Sequence, residues 1–419
     1  MRILLVTHRF LPRFLAGTEV YAGSLAESLK DRGHTVQVFT GDPSATEAST
    51  YDWNGMVVHV VPWRAGRAAD PISTFLAGFL NPPVERRFEQ VSSDFKPDIV
   101  HIHHLIGLSP RLPAIARAHG ARVIVTLHDY WFKCSNTLLF RYSDELCPGP
   151  GLGYHCGGCA LQRLGRKPNR PAMILAAPIF VLRTAVLRRV LSRVDCVIVP
   201  SQAAARVFAP DRLLAGKLRV IPHGLSTRQP APPAAAPGAN RPPRYVYVGS
   251  VVRPKGVHVI VQAFANLTDA GQELHVYGDL SVDAAYVDQL RKLVTRPGTF
   301  FHGALARSQV PQALGEADVV LVPSLWRETF SVIVDEAFEA GVPVLVSAGS
   351  AAAERVVAGV NGLVAPAGDV EAWREQMQRV AAEPTLLARL RAGVRPPKTL
   401  MAHALEIEAV YQNMLEEAA

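Results

Sequence analysis

The sequence predicts an α/β protein with two parallel, doubly wound sheets. The chain has 419 residues, 49% hydrophobic and 19% charged, which is enough for two globular cores. Short runs rich in β-branched residues alternate with stretches of helical periodicity, as in parallel sheets covered by helices on both faces. A proline-rich segment interrupts this alternation, which then starts again. These observations predict two Rossmann-like domains joined by a linker.

The first domain is predicted over residues 1–225, and its apolar runs are typical of buried strands. The strands are predicted at 3–7, 35–40, 57–61, 99–102, 123–127, 196–199 and 218–221. Residues 226–243 contain six prolines and no apolar periodicity, which indicates an extended linker.

The second domain is predicted over 244–401, and a last helix over 402–419 is expected to cross back to the first domain. Strands are predicted at 245–248, 274–277, 300–301, 319–322 and 344–346, with a helix over 257–267. Ligands of open parallel sheets bind beyond the carboxyl ends of the strands, so two such domains facing each other predict a central cleft that holds the site.

The two halves differ in charge. Residues 1–224 hold 27 Lys and Arg against 16 Asp and Glu, whereas the remainder holds 17 against 20. A basic half is typical of proteins that meet anionic lipid, a phosphate-bearing acceptor or nucleic acid, and equally of a solvated basic surface. Because no nucleic-acid recognition motif occurs, nucleic acid is not expected as a partner.

The sequence carries no pattern of export or membrane spanning. Only five residues separate Arg2 from His8, too few for the apolar region of a signal peptide. The longest apolar stretch, 172–182, is interrupted by Pro178 and is shorter than the roughly 20 residues that span a bilayer. We therefore expect a cytoplasmic protein whose cysteines are thiols or metal ligands.

Two glutamates in the second domain are candidate ligand-binding residues. A strand ending at Val322 is followed by a loop and by a helix that begins near Ser331 and ends before Gly341. The N–H groups at such a helix start favour a pyrophosphate. Glu328 precedes this helix and Glu336 lies within it, so the two carboxylates could accept hydrogen bonds from a sugar and a ribose without a metal. Helix-terminus and surface carboxylates are the alternative.

Candidate residues also follow other predicted strands. Arg253 and Lys255 come after the first strand of the second domain, where cations can neutralise a departing diphosphate. In the first domain, Gly17 allows close backbone approach to a ligand. His128 stands at the carboxyl end of a buried strand, where it could hydrogen-bond a reacting sugar or, alternatively, a backbone carbonyl.

Four cysteines within 26 residues have the spacing C-x12-C-x8-C-x2-C. They are Cys134, Cys147, Cys156 and Cys159. Four thiolates at this spacing could enclose a structural zinc, and unliganded reduced thiols are the alternative. Since Cys134 follows His128 closely, a metal here would hold the intervening loop over the acceptor side of the cleft.

Basic residues flank the apolar run 173–187. They are Arg166, Lys167, Arg170, Arg183, Arg188, Arg189 and Arg193. Such a surface can rest on an anionic membrane, and a core helix with a basic face is the alternative.

These stretches together resemble the retaining family 4 glycosyltransferases of GT-B fold. The resemblance runs through nearly the whole chain, in AGTE, GHTVQVFT, KPDIVHIHH, TLHDYWFKC, IVPSQAAARVF, VIPHGL, GSVVRPKG, the E-x7-E of Glu328 and Glu336, and NGLVAPAGD. It implies transfer of a hexose-type sugar from a UDP- or GDP-sugar to a glycan, lipid-linked or small-molecule acceptor. It also implies retention of configuration and no cofactor or metal in catalysis.

The resemblance further implies roles for individual residues. Glu328 would hold the hydroxyls of the donor sugar, Glu336 the ribose, and Lys255 the diphosphate. Backbone N–H groups around Phe330 and Ser331 would also bind the diphosphate. His128 would lie beside the anomeric carbon.

Three departures from the family pattern leave alternatives open. Ser250 stands where many members have arginine, and Arg253 is the candidate to replace that cation. Ala16–Gly17 replaces a Gly-Gly pair, and 329–331 reads Thr-Phe-Ser instead of Gly-Phe-Gly. The alternatives are a catalytically impaired nucleotide-sugar binding protein and a GT-B-like epimerase. A dinucleotide-dependent oxidoreductase is not expected, because no G-x-G-x-x-G follows the first strand of either half.

Overall fold

The computed structural model describes residues 1–417 except 65, 67, 69, 227–240, 269 and 270. The chain divides into two compact units, one of residues 1–224 with 400–419 and one of residues 225–399. Most of the linker predicted at 226–243 lies outside the described residues.

The strands of the described residues are β1 (Arg2–Thr7), β2 (Thr35–Asp42), β3 (Ser49–Trp53), β4 (Met56–Pro62), β5 (Ile99–Ile102), β6 (Arg122–Thr126), β7 (Cys196–Val199), β8 (Leu218–Val220), β9 (Arg244–Val248), β10 (Glu273–Tyr277), β11 (Thr299–Gly303), β12 (Val319–Val322), β13 (Val344–Ser347) and β14 (Gly362–Ala365).

The α-helices are α1 (Gly17–Asp31), α2 (Pro71–Ala77), α3 (Pro82–Phe95), α4 (Leu112–Ala118), α5 (Tyr154–Arg163), α6 (Arg170–Arg193), α7 (Gln202–Phe208), α8 (Val257–Ala265), α9 (Ala284–Lys292), α10 (Val310–Gly315), α11 (Val332–Glu339), α12 (Val370–Ala382), α13 (Pro384–Gly393) and α14 (Leu400–Glu416).

Each unit is built on one sheet with a reversal of strand order at its centre. Unit 1 has the order β3-β4-β2-β1-β5-β6-β7-β8, and unit 2 has β11-β10-β9-β12-β13-β14. All neighbouring strands are parallel except β3 and β4. The order reverses between β1 and β5 in unit 1 and between β9 and β12 in unit 2. Loops that leave these strand pairs at their carboxyl ends diverge and open a crevice.

The prediction of two parallel α/β sheets is confirmed. Every predicted strand forms within a few residues of its predicted bounds, but β3 and β14 were missed. β3 is a largely exposed edge strand of polar sequence, so it lacks the apolar run of a buried strand. β14 begins at Gly362, where a side chain would meet the Val344 carbonyl oxygen at 2.5 Å, so a residue that disfavours strands is required there.

Alternation along the strands buries apolar side chains on both faces of the unit 2 sheet. Tyr245 and Tyr247 of β9 face one core, whereas Val246 faces the other. In unit 1, Ile3 and Leu5 of β1 belong to a core that also contains Tyr411 of α14. The last helix thus packs in the first unit and begins at Leu400, two residues before its predicted start. No helix among the described residues is long and apolar enough to cross a membrane.

Candidate active site

The switch point of unit 2 brings together two residues that are 73 positions apart. Lys255 lies in the loop after β9 and Glu328 in the loop after β12. Lys255 Nζ and Glu328 Oε1 are 2.5 Å apart, and the Ser324 hydroxyl donates to the same oxygen at 2.5 Å. The structure therefore joins two of the predicted site residues as an ion pair at the carboxyl edge of the sheet.

Gly256 allows these two loops to meet. Its φ of 72° lies in the left-handed region, and a Cβ there would come within 2.0 Å of the Pro323 carbonyl oxygen. The Leu325 N–H also donates to the Pro254 carbonyl at 2.8 Å. The glycine of the RPKG segment thus has a packing role next to Lys255.

Glu328 is a buried carboxylate that stays charged. Its side chain is 3% exposed, whereas that of Lys255 is 30% exposed. Burial alone would raise the pKa of Glu328, but the Lys255 ammonium and the hydroxyls of Ser324 and Ser331 bring it below its ordinary value. The second oxygen, Oε2, is buried and has no hydrogen-bond partner among the described residues. A buried charged oxygen of this kind is ready to accept a hydrogen bond from a ligand.

The loop before α11 is fixed by an arginine from a later segment. Arg355 lies over the Phe330 ring, 4.3 Å from its centre, and donates to the Ser331 carbonyl at 2.9 Å. It also pairs with Asp335 at 2.7 Å. Arg355 therefore fixes the backbone of Phe330 and Ser331 just before α11, the helix that the sequence predicted to begin near Ser331.

Ser331 has a backbone conformation that glycine prefers, with φ 73° and ψ 78°. This is the position where the sequence departs from the Gly-Phe-Gly pattern. A residue with a Cβ pays about 1 kcal/mol or more in the left-handed region. The Ser331 hydroxyl beside Glu328 offsets part of that cost.

We expect Ser331→Gly to be more stable than Ser331→Ala by about 1 kcal/mol. Both variants lack the hydroxyl, and only alanine keeps a Cβ in the left-handed region. Urea unfolding of the two variants side by side measures the difference. Equal free energies of unfolding, or a more stable alanine variant, would contradict the backbone conformation described here.

Glu336 lies on α11 and forms an ion pair with Arg307, which follows β11. The Glu336 side chain is 11% exposed and that of Arg307 is 60% exposed. Burial raises the pKa of Glu336, while Arg307 partly offsets that effect. The Glu336 carboxylate is thus a second candidate hydrogen-bond acceptor, on the helix that follows the loop of Glu328.

Two further predicted residues are exposed. Arg253 begins the 3-10 turn Arg253–Lys255 and is exposed. Gly17 is the first residue of α1 in unit 1, and a side chain there would meet nothing within 4 Å.

In unit 1, the predicted His128 belongs to a cluster of histidines and tyrosines at the carboxyl ends of the strands. The Nε2 atom of His128 shares a hydrogen bond of 3.2 Å with the Nδ1 atom of His103. The His128 ring packs against Tyr21 of α1 and His223 after β8, with ring centres 4.8 Å and 5.1 Å away. The Tyr21 hydroxyl is 2.7 Å from Nε2 of His403 on α14.

Four histidines in and beside this cluster, His8, His101, His103 and His128, are neutral at physiological pH. Burial lowers the pKa of His128 to about 3, and the neighbouring His104 adds to the effect. Burial also holds the pKa values of His8, His101 and His103 well below the ordinary value. The site therefore offers neutral imidazoles, which can each donate and accept one hydrogen bond.

The stability of unit 1 is expected to fall as the pH drops below about 6.5. These pKa values are lower in the folded chain than in the unfolded one, so the unfolded chain takes up protons first. Their stabilising contribution is complete above pH 6.5 and is lost on acidification by about 1.4 kcal/mol per pH unit for each histidine. Calorimetric melting at pH 7.5 and 5.5 measures the loss. His101→Gln should make the melting temperature of unit 1 less dependent on pH. Equal melting temperatures at the two pH values would be inconsistent with buried neutral histidines.

The four clustered cysteines do not form a metal site as they stand. No group of three or more His, Cys, Asp or Glu side chains in the described part of the chain is arranged to hold a metal ion. Burial, together with neighbouring thiols, raises the pKa values of Cys134 and Cys159, and that of Cys156 to about 12. Without a metal these thiols are protonated, and the zinc site stays a prediction that metal analysis of the purified protein can test.

Several residues at these sites were not predicted from the sequence. Ser324 contacts Glu328 from within the same loop, whereas Arg307 and Arg355 contact Glu336 and the loop before α11 from distant segments. Tyr21 and His403 likewise meet at the histidine cluster from distant segments. A lone arginine or tyrosine carries no local motif. His223, in VIPHGL, and His101, His103 and His104, in KPDIVHIHH, lay within segments that resembled a family pattern.

Solved structures show that this is the GT-B fold. Sucrose-phosphate synthase from Thermosynechococcus elongatus matches with a TM-score of 0.77 at 19% identity and covers 99% of both chains. Anabaena HepE in complex with UDP-glucose matches with a TM-score of 0.66 at 18% identity and covers 100% of both chains. These similarities establish the fold.

Sequence comparison gives the family. The model described as Glycosyltransferase Family 4 matches residues 15–229, and the one described as Glycosyl transferases group 1 matches residues 234–395. The chain therefore belongs to glycosyltransferase family 4. It is similar to glycogen synthase of Mycobacterium tuberculosis, at 24% identity over 94% of this chain and 89% of that protein. It is also similar to D-inositol 3-phosphate glycosyltransferase of Xylanimonas cellulosilytica, at 24% identity over 90% and 86%.

Proposed function

We propose that this chain transfers a hexose-type sugar from a UDP- or GDP-sugar to a glycan, lipid-linked or small-molecule acceptor in cell-surface polysaccharide or glycoconjugate biosynthesis. The observation that carries the proposal is the buried Glu328 at the unit 2 switch point, with one carboxylate oxygen bound by Lys255 and the other without a partner among the described residues. The Anabaena HepE structures hold UDP and UDP-glucose, which supports a UDP-sugar as the first donor to test.

The unit 2 residues would divide the donor between them. Glu328 Oε2 accepts hydrogen bonds from the sugar hydroxyls, and Glu336 accepts them from the ribose. The diphosphate lies against the N–H groups at the start of α11, where the helix dipole favours an anion. Lys255, aided by Arg253, stabilises the negative charge that develops on the leaving diphosphate.

In the proposed reaction, configuration at the anomeric carbon is retained. The bond from that carbon to the diphosphate oxygen breaks, and a bond to the acceptor oxygen forms on the same face. The acceptor proton passes to the departing diphosphate oxygen, so no metal and no other cofactor takes part. His128, being neutral, donates or accepts a hydrogen bond at the reacting sugar and is not the charged acid of the reaction.

Hydrolysis of the donor tests the proposal without an identified acceptor. UDP- and GDP-sugars are incubated with the protein, and proton NMR follows the anomer that is released first. We expect slow hydrolysis of one donor with retained configuration. Release of the inverted anomer would refute the proposed mechanism. Binding of a donor without turnover would instead favour the impaired binding protein, and formation of an epimeric nucleotide sugar would favour the epimerase.

We also propose that the protein is cytoplasmic and associates with anionic membranes through α6. The outward face of this helix is apolar over about two turns, with Ile174 62% and Leu175 82% exposed and Leu182 on the same side. Exposed Arg166 and Lys167 precede the helix. Apolar side chains next to cations are suited to the interface of an anionic bilayer.

Sedimentation with vesicles tests this association. Wild-type protein should sediment with anionic vesicles at low salt and less at high salt, because screening weakens the attraction of the basic residues. Leu175→Glu should reduce sedimentation, whereas Arg86→Gln, an exposed site on α3, should not. Equal sedimentation with neutral and anionic vesicles, or none at low salt, would contradict the proposal.

A further inference from the structure

Unit 1 contains a cavity of about 540 Å³ that none of the predicted site residues lines. Its walls include Arg9, Trp63 and Trp131, which follow β1, β4 and β6. The cavity therefore lies at the carboxyl edge of the unit 1 sheet, the edge where open parallel sheets bind ligands. Helices α2, α5 and α6 supply much of the rest of the wall.

The remaining lining is mostly apolar and reaches the protein surface. Phe75 of α2 and Phe180 of α6 pack edge to face, with ring centres 5.3 Å apart. Ile72 and Leu164 also line the cavity and are 60% and 44% exposed, respectively. An apolar ligand segment could therefore enter along these side chains and be removed from water.

Arg183 makes the cavity unusual. It lies in the middle of α6, is 3% exposed and lines the cavity. Its guanidinium donates to the Trp131 carbonyl at 2.9 Å and lies 4.8 Å from the centre of that ring. Among the described residues, Arg183 makes no ion pair, and Asp129, the carboxylate whose charge acts on it from a longer distance, already binds His104 at 3.1 Å. Buried cations are normally paired with an anion, so Arg183 has no counter-ion in direct contact.

The charge balance of the walls also favours an anion. Arg9 and Arg163 line the cavity together with Arg183, against Asp70 as the acidic residue. Asp70 is already engaged, because it pairs with Arg64 and caps α2 through the Ile72 and Ser73 N–H groups. Burial lowers the pKa of Arg183 to about 10, which still leaves it charged at neutral pH.

The cavity adjoins the histidine cluster. The Trp131 ring centre is 5.4 Å from that of His104, and His104 is 4.4 Å from His8. The His8 ring is in turn 6.3 Å from that of Trp63. A ligand in the cavity thus lies next to the imidazoles that surround His128.

We infer that this cavity binds the acceptor, and that the acceptor is an amphiphile with an anionic phosphate held by Arg183 and an apolar chain held against Phe75 and Phe180. The assignment as acceptor rests on the proposed function. Binding of the amphiphile itself does not.

Isothermal titration with soluble probes tests the inference on the full chain. Dodecyl phosphate, below its micelle concentration, should bind. Inorganic phosphate should bind at least about tenfold more weakly because it lacks the chain, and dodecyltrimethylammonium should not bind. If inorganic phosphate binds as tightly as dodecyl phosphate, the cavity is an anion site without a role for the apolar chain. That result would overturn the inference that it binds an amphiphile.

Variants separate the cavity from nonspecific adsorption. Arg183→Met removes the charge, and Ala160→Trp fills the cavity from α5. Each should lower the affinity for dodecyl phosphate about tenfold or more, whereas Arg86→Gln should leave it unchanged. Arg183→Met should still fold, because replacing an unpaired buried charge by an apolar side chain of similar size is tolerated. Unchanged affinity in both cavity variants would overturn the inference.

UDP titration of the same samples separates the two proposals. UDP binding without dodecyl phosphate binding would refute this inference alone. Dodecyl phosphate binding without any nucleotide binding would leave an amphiphile site and refute its role as the acceptor site of a transferase.

Discussion

Lys255→Met is expected to lower turnover of the donor by about 100-fold to 1000-fold, because the cation that stabilises the leaving diphosphate is lost. The same change leaves Glu328 buried without the ammonium 2.5 Å away. The pKa of Glu328 should therefore rise, and the free energy of unfolding should fall by about 2 kcal/mol. Donor hydrolysis and urea unfolding measure the two effects.

A double variant separates these effects. Lys255→Met combined with Glu328→Gln removes both charges of the pair, so most of the lost stability should return. Turnover should remain as low as in the single variant or fall further. If the single variant keeps turnover within threefold of the wild type, Lys255 does not act on the leaving group.

His128→Ala is expected to lower turnover about 100-fold and to change donor affinity less than threefold. The imidazole belongs to unit 1 and is neutral, since burial lowers its pKa to about 3. It should therefore affect the reacting sugar through hydrogen bonding. For the same reason, the wild-type turnover should show no transition between pH 5 and 8 that disappears in His128→Ala.

His119→Asn provides a matched control, because His119 lies at the end of α4 outside the cluster. Its turnover should equal that of the wild type. A pH transition near 6.5 that is lost only in His128→Ala would contradict the neutral state of this histidine.

The sequence was sufficient to predict the two sheets, because buried parallel strands are continuous apolar runs that need no partner to be recognised. The E-x7-E spacing and the RPKG segment likewise located Glu328, Glu336 and Lys255 on loops and a helix that the structure confirms. β3 could not be predicted in this way. Its pairing with β4 depends on a neighbouring strand and not on apolar residues of its own.

Local sequence patterns could not predict the contacts between distant segments. Arg307 reaches Glu336 from the loop after β11, and Arg355 fixes the backbone of Phe330 and Ser331 from beyond β13. The histidine cluster is assembled from separate strand ends and α14, so no single segment reveals it. Arg183 was predicted as part of a basic surface, but it is buried in the wall of a cavity. Its helix exposes apolar side chains such as Leu175 together with arginines such as Arg188.

The most direct test of the central claim, that the unit 2 switch point binds a nucleotide-sugar donor, is ligand-observed NMR. Wild type, Lys255→Met, Glu336→Ala and the surface control Arg86→Gln are each titrated with UDP-, GDP-, ADP- and dTDP-sugars and with NAD. We expect one class of nucleotide sugar to bind to the wild type and the control, and both site variants to weaken this binding about tenfold or more. Failure of every nucleotide sugar to bind, or binding that neither variant weakens, would contradict the claim.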